Sequence, residues 1–312
     1  MYLLICSFVA DLIFGDPEWL PHPVKLMGRL IDFLDRRLQR DANKWMERIK
    51  GIFLVLIVAG ISAYAAYLIL ESLNDIHPIL GNLAWIYLGY TTLSVKDLFL
   101  KAREVLKEIK AGSIKEARHK LSQIVGRDTQ PLSEEKIISA AVESIAENTN
   151  DGIIAPLFYL ILSGPVLAIA YKAINTLDSM VGYKNEKYIN FGWASARLDD
   201  AANFIPARIT GILISFSSFV LGKGFRTSFR TMLRDGKKHP SPNSGISEAA
   251  MAGALGIRLG GPSTYRGRLS VKAYLGEEIR SIGPSVMNEA LAISFTASVF
   301  MVLLGVGLQC LI

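Results

Sequence analysis

Residues 51–70 run for twenty positions without a charged side chain. As a helix rising 1.5 Å per residue, that run is about 30 Å long, the thickness of a bilayer's hydrocarbon core. Backbone groups in lipid must satisfy one another, so the run is confined to a helix. Residues 79–95 read as a second span. Apolar runs recur at 153–171, 204–221 and 289–312, whereas 1–14 is apolar but short for a crossing. A chain that is 51% hydrophobic with mean hydropathy +0.32 is placed among membrane proteins by composition as well.

The charge pattern orients these runs. Lys and Arg number eight in 15–50, ten in 96–151 and eleven in 222–288, with none in the 71–78 turn. The positive-inside rule therefore puts the three basic loops in the cytoplasm and the short turn outside. Run 153–171 is broken by Ser163-Gly164-Pro165, and run 204–221 carries Pro206 and Arg208. Such breaks and charges are tolerated at membrane depth where backbone lines a protein-enclosed cavity. The expected fold is all-α: a polytopic integral membrane protein with broken or re-entrant helices and cytoplasmic helical loops, forming one membrane-embedded domain over 1–312. Residues 172–203 are expected on the cytoplasmic side.

Several function classes drop out. Cys6 and Cys310 have no CxxC or Cys/His spacing, so neither a disulfide nor a zinc site is expected. The N-terminus lacks a basic stretch and Asp11 interrupts its apolar run, so no cleavable signal is expected. No GxxxxGK[ST] phosphate loop occurs. The net charge of +6 is spread along the chain without a nucleic-acid motif, so nucleic acid is not an expected partner.

Chemistry-bearing residues concentrate beside the apolar runs. In Glu143-Ser-Ile-Ala-Glu147-Asn148-Thr-Asn150-Asp151-Gly152 the three acids are spaced i, i+4, i+8, one stripe of a helix. Like charges at that spacing repel, so the stripe is either well solvated or neutralised by a cation. In Lys172-Ala-Ile-Asn175-Thr-Leu-Asp178-Ser179, a cation, an amide and a carboxylate share a helix face and suit a phosphate–metal site; an interfacial helix with snorkelling Lys is the rival. Arg197-Leu-Asp199-Asp200-Ala-Ala-Asn203, followed by Pro206-Ala-Arg208, offers a metal–phosphate clamp, with structural Asp–Arg pairing as the rival. Glu248-Ala-Ala-Met-Ala-Gly253-Ala-Leu-Gly256 allows close backbone approach to a ligand or another helix. Together these segments suggest one polar cavity at a membrane face. A transporter and a non-catalytic membrane scaffold remain alternative readings.

These phrases, with the opening Asp11…Gly15-Asp16-Pro17…Pro21-His22-Pro23, with Asn175-Thr-Leu-Asp178-Ser-Met-Val-Gly182-Tyr183, Phe191-Gly-Trp193 and Ser241-Pro-Asn243, resemble the CobD/CbiB family of adenosylcobinamide-phosphate synthases. The family often has Asn-Ala-Gly where this chain has Asn243-Ser244-Gly245. The resemblance implies an ATP-dependent ligase in the cell membrane. It would join (R)-1-amino-2-propanol O-2-phosphate to a propionate of adenosylcobyric acid, giving an amide. Activation of the carboxylate as an acyl phosphate is the natural route to that uphill bond. On this reading Glu143, Glu147, Asp178 and Asp199 hold Mg²⁺. Asn148, Lys172, Asn175, Arg197, Asn203 and Arg208 bind phosphate or substrate. Glu147, Asp151 and Asp200 are the catalytic candidates, with Asp151 or Asp200 deprotonating the incoming ammonium. The corrinoid would rest on aromatics around Tyr183, Phe191 and Trp193. The bilayer is an expected partner, and a homo-oligomer or a complex with other corrinoid enzymes belongs to the same expectation.

Overall fold

The computed structural model describes residues 2–17, 22–38, 43–183, 185–265 and 267–311. Pro21 of the opening motif lies outside the described residues. The helices run in chain order as α1 (Tyr2–Phe14), α2 (Pro23–Arg37), α3 (Lys44–Ile76), α4 (Pro78–Tyr90), α5 (Val95–Lys110), α6 (Ile114–Ser122) and α7 (Glu134–Asn148). A π-helical turn, Thr149–Ile154, leads into α8 (Ala155–Ser163), α9 (Pro165–Val181), α10 (Trp193–Ala202), α11 (Phe204–Val220), α12 (Phe225–Asp235), α13 (Ser244–Leu255) and α14 (Pro284–Leu311). The described residues are thus mostly helical, as expected. Their two strands form an antiparallel hairpin, β1 (Pro262–Tyr265) and β2 (Arg268–Val271), in the register Pro262 with Val271 to Tyr265 with Arg268.

Local sequence sets these boundaries. Asn43 caps α3 by accepting the Trp45 N–H at 2.9 Å, and Ser133 caps α7. Pro23, Pro78 and Pro165 each open a helix, where their missing N–H costs nothing. Gly164, at φ 75°, makes the expected break between α8 and α9. Run 204–221, expected to be broken, is instead the single helix α11; the chain bends by 48° just before it, at Asn203 between α10 and α11.

Among the described residues two helices, α3 and α14, are long and apolar enough to cross a membrane, and the bent pair α10–α11 would make a third if it is one span. Large apolar side chains of α3, among them Phe53, Leu56 and Tyr64, are exposed, which fits a lipid surround. The expectation for 79–95 is corrected. Its helix, α4, has 13 residues, about 20 Å of rise, which is too short for a simple crossing. It ends where the buried Thr91 and Thr92 hydroxyls donate to the Leu88 and Gly89 carbonyls and turn the chain into α5.

The contacts divide the chain into two units. The first takes the described residues of 1–94, 155–203 and 302–312, the second those of 95–154 and 204–301. In the first, α2, α3 and α9 pack around Ile31, Leu54, Val58, Ala173 and Leu177. Gly51 is required there, because a Cβ would lie 2.0 Å from the Phe191 carbonyl oxygen. Phe191 is therefore a core residue, not part of an aromatic platform, while Tyr183 and Trp193 are exposed. In the second unit, α11, α12 and α13 pack together and α7 packs on α13. Its core includes Ile137, Ile138, Ile145, Ala249 and Met251, all without solvent exposure.

Candidate functional site

Each unit holds its own polar centre. That of the first unit is built by α9, α10 and Asn203. The Asp199 carboxylate accepts from the Asn175 amide at 3.3 Å and the Asn203 amide at 3.1 Å. Asn203 Oδ1 in turn accepts the Tyr171 hydroxyl at 2.9 Å. Tyr171 stacks on Tyr159, whose hydroxyl donates to the Ala202 carbonyl and so ties down the end of α10. Three residues singled out from spacing, Asn175, Asp199 and Asn203, thus form one network. Lys172 and Asp178 lie half-buried on α9, one turn to either side of Asn175. Arg197 lies 3.9 Å from Asp200 on the same helix and is mostly exposed.

The centre of the second unit is richer in charge. Glu143, on α7, is almost fully buried. One of its oxygens accepts the Gly260 backbone N–H at 2.8 Å and the other is bonded by Arg127. Arg127 also donates to Ser263 Oγ at 3.2 Å. Its loop is held to the hairpin by the Asp128 N–H, which donates to the Thr264 carbonyl at 2.8 Å. Glu248, on α13, and His239 are buried beside this pair, with His239 Nε2 3.8 Å from Glu248 Oε1. Lys272, half-buried just after β2, has Glu248, Glu143 and Glu147 as electrostatic neighbours.

The surroundings set the charge states. Burial, then the Glu143 carboxylate, push Glu248 well above the ordinary carboxylate range. Burial and the Lys272 ammonium lower His239 to about 4. His239 is therefore neutral near pH 7, and its contact with Glu248 is no ion pair. Burial disfavours the charged form of Lys272, but the carboxylates around it outweigh burial and keep it cationic. The same balance, with Glu143 as partner, keeps Arg127 charged.

The acidic stripe is not uniform. Glu143 faces the buried centre, whereas Glu147 is exposed and accepts the Ser244 hydroxyl at 3.1 Å. Asp151 leaves the stripe because the π turn is wider than 3.6 residues. There Asn150 donates to Asp151 at 2.7 Å and accepts the Thr210 hydroxyl at 2.8 Å. Asn148 donates back to the Ser144 carbonyl. Arg208 donates to the Phe204 carbonyl and to Asn243 Oδ1, with its guanidinium over the Phe204 ring. Of the four residues expected to hold a metal, Glu143 and Glu147 belong to one unit, Asp178 and Asp199 to the other. Among the described residues no three His, Cys, Asp or Glu side chains are arranged to hold a metal ion.

Spacing did not single out Arg127, His239, Lys272 or Ser244, and it read Glu248 only as part of a small-residue helix. One signal was available: Glu248 is the sole acid between Asp235 and Glu277 and sits among alanines and glycines. A carboxylate in such company is buried, and a buried carboxylate needs a reason.

Fold and site together define a helical protein with two helices of membrane-spanning length and a buried acid–base centre built from distant segments. The family described as CobD/Cbib protein matches residues 4–294, and this chain belongs to it. The chain is 45% identical over 303 residues to the cobalamin biosynthesis protein CobD of Geobacter metallireducens, covering 97% of this chain and 95% of that one. It is 44% identical to the protein of that name from Pelobacter propionicus, covering 99% and 95%. The Leptospira interrogans protein is 47% identical over 271 residues, covering 87% and 85%. No solved structure matches.

Proposed function

We propose that this protein acts in cobalamin biosynthesis as a membrane-bound amide ligase, joining (R)-1-amino-2-propanol O-2-phosphate to the propionate of adenosylcobyric acid at the expense of ATP. One observation carries the reading. In a chain similar over nearly its whole length to proteins named for cobalamin biosynthesis, the Glu143 and Glu248 segments meet in one buried charge centre. A scaffold has no use for two acids buried together.

In this mechanism a carboxylate oxygen of the corrinoid attacks the γ-phosphorus of ATP and ADP leaves. The amine nitrogen then attacks the acyl carbon, phosphate leaves, and a carboxylate takes the ammonium proton. Glu147, exposed at the edge of the centre and oriented by Ser244, meets the substrates. Asp151 accepts the proton. Arg208 offsets phosphate charge, with Asn148 as an amide contact. Mg²⁺ enters this reading with the nucleotide, as a counter-ion to its phosphates. The reading places α3 and α14 across the cell membrane and the basic loops, with 172–203, in the cytoplasm.

Purified protein given both substrates and ATP should form the amide with one ADP released per bond. No amide under any nucleotide overturns the reading. Modification of a cysteine placed at Glu186, tried from each face of sealed vesicles, tests the sidedness: reaction from the outside only refutes it.

A further inference from the structure

A cavity of about 650 Å³ lies between α12, the C-terminal end of α13 and residues 277–279, all within the second unit. Among the described residues its wall shares none with the Glu143 centre. Helical spacing turns Thr227, Arg230, Thr231 and Arg234 onto one face of α12, and all four line the cavity. The other face of α12 holds the helix in place: Ser228 bonds Ser215 at 2.9 Å and donates to the Ala250 carbonyl at 2.8 Å, and Met232 is buried. Opposite, Gly253 lets α13 close on α12, since a Cβ there would lie 2.6 Å from Thr231 Cβ.

The charges in the wall select the sign of a ligand. The Arg234 guanidinium is taken up by Asp235 and Glu277. Glu277, the one carboxylate among the described residues of the wall, is thereby neutralised. Arg230 has no ion pair among the described residues. A metal ion or an ammonium would meet that uncommitted guanidinium, and an apolar ligand would cover it and the Thr231 hydroxyl without bonding either. An anion is left. Volume then limits which anion. A dry cavity of about 150 Å³ takes one benzene ring, so at that density 650 Å³ takes about twenty-five non-hydrogen atoms. Inorganic phosphate and aminopropanol phosphate are far smaller, and a corrinoid is far larger. Leu233 and Ile279, 61% and 71% exposed, give the wall an apolar part as well. The α13 helix ends beside it at Gly256, so the negative end of its dipole keeps anionic groups on the Arg230 side.

We propose that this cavity binds a nucleoside di- or triphosphate, with its phosphates on Arg230 and the Thr231 hydroxyl and its base against Leu233 and Ile279. A guanidinium free of carboxylates is the group that pairs with phosphate oxygens by two parallel hydrogen bonds. A base supplies the uncharged planar part that the apolar wall accepts. Ala252 of the wall lies one turn after Glu248 on α13, so the bound nucleotide sits about 5.4 Å along that helix from the buried acids. That the nucleotide is ATP rests on the ligase reading.

The test is equilibrium binding of ATP by the full-length protein in nanodiscs of zwitterionic lipid, with ADP and inorganic tripolyphosphate as competitors. ADP should compete, and tripolyphosphate, which lacks a base, should compete at least about tenfold less well than ATP itself. Arg230→Gln should weaken ATP by about tenfold or more, the size of a lost charge-assisted hydrogen bond. Arg230→Lys, which keeps the charge, should lose less. Arg226→Gln is the control: it lies one turn earlier on α12, exposed and outside the cavity wall, and should leave ATP binding unchanged. Arg230 is exposed too, so its variants should keep the wild-type unfolding midpoint. Equal losses in Arg226→Gln and Arg230→Gln would show diffuse attraction by a basic helix and overturn the site. Unchanged ATP binding in Arg230→Gln, or tripolyphosphate binding as tightly as ATP, overturns it as well. Amide synthesis whose KM for ATP is indifferent to Arg230→Gln sinks the cavity alone. ATP binding that depends on Arg230, in a protein that makes no amide, sinks the ligase reading alone.

Discussion

Glu143 Oε1 accepts the Gly260 backbone N–H at 2.8 Å, across a separation of 117 residues. With Arg127 on the other oxygen, the carboxylate joins α7, the 126–132 loop and the turn before the hairpin. The Glu143 side chain is 4% exposed and that of Arg127 11%. At that burial the pair matters chiefly through what happens when one partner is removed.

Glu143→Ala and Arg127→Met should therefore each destabilise the protein by about 3–5 kcal/mol, because each leaves an uncompensated buried charge. The double variant should cost much less than the sum, since it leaves neither charge. Thermal unfolding of the four proteins in one detergent checks this. Additive losses would show that the two side chains act independently.

Gly260→Ala should mimic the loss of Glu143. Gly260 has φ 85°, and a Cβ would approach the Ala273 carbonyl oxygen to 2.4 Å. The left-handed backbone and the clash both push the turn away from α7, taking the donor from Glu143. A cost of about 2–4 kcal/mol is expected from strain together with a buried carboxylate losing one partner. An unfolding midpoint equal to wild type would mean that the turn adapts without moving.

Glu147 separates from Glu143 by function. It is exposed and accepts the Ser244 hydroxyl. Glu147→Gln should change stability by less than about 0.5 kcal/mol, as exposed substitutions do. Under the ligase reading it should lower turnover by about a hundredfold or more, as loss of a positioned catalytic carboxylate does. Expression, unfolding midpoint and amide formation are measured on one preparation. Near-normal turnover moves the chemistry elsewhere.

That divergence within one stripe marks how far the sequence could be read. The 51–70 span, the break at Gly164 and the pairing of Asp199 with Asn203 at i, i+4 all follow from local periodicity and spacing, which a helix enforces by itself. Spacing treats Glu143 and Glu147 alike, however, and only tertiary packing decides that the first meets Arg127 and Gly260 while the second meets solvent and Ser244. The shift of Asp151 depends on a π turn that no residue pattern announces. The 79–95 run looked long enough to span because hydrophobicity continues through Thr91 and Thr92, although their hydroxyls bond the preceding turn and end the helix. His239 carried no signal, since Glu248 on α13 and Lys272 just after β2 reach it through space. The hairpin was read as basic loop because its strands have four residues each.

His239 gives the protein a defined acid sensitivity. Burial, then Lys272, hold its folded pKa at about 4, with Glu143 and Arg127 also facing it and pulling in opposite directions. The unfolded chain titrates near the ordinary value of about 6.5. Above that pH the ring is neutral in both states and its contribution is constant. As pH falls from about 6.5 towards 4, the unfolded chain binds a proton that the folded chain refuses, so stability is lost through that window and the loss levels off below it. Glu248 works in the opposite sense over part of the same range, because its raised folded pKa lets the folded chain take up a proton first. The His239 contribution is therefore read as a difference. The gap in unfolding midpoint between wild type and His239→Gln should shift steadily against wild type from pH 6.5 to 4.5, and stay constant between pH 7 and 8. A gap independent of pH down to 4.5 would mean that His239 accepts its proton in the folded protein as readily as in the unfolded chain.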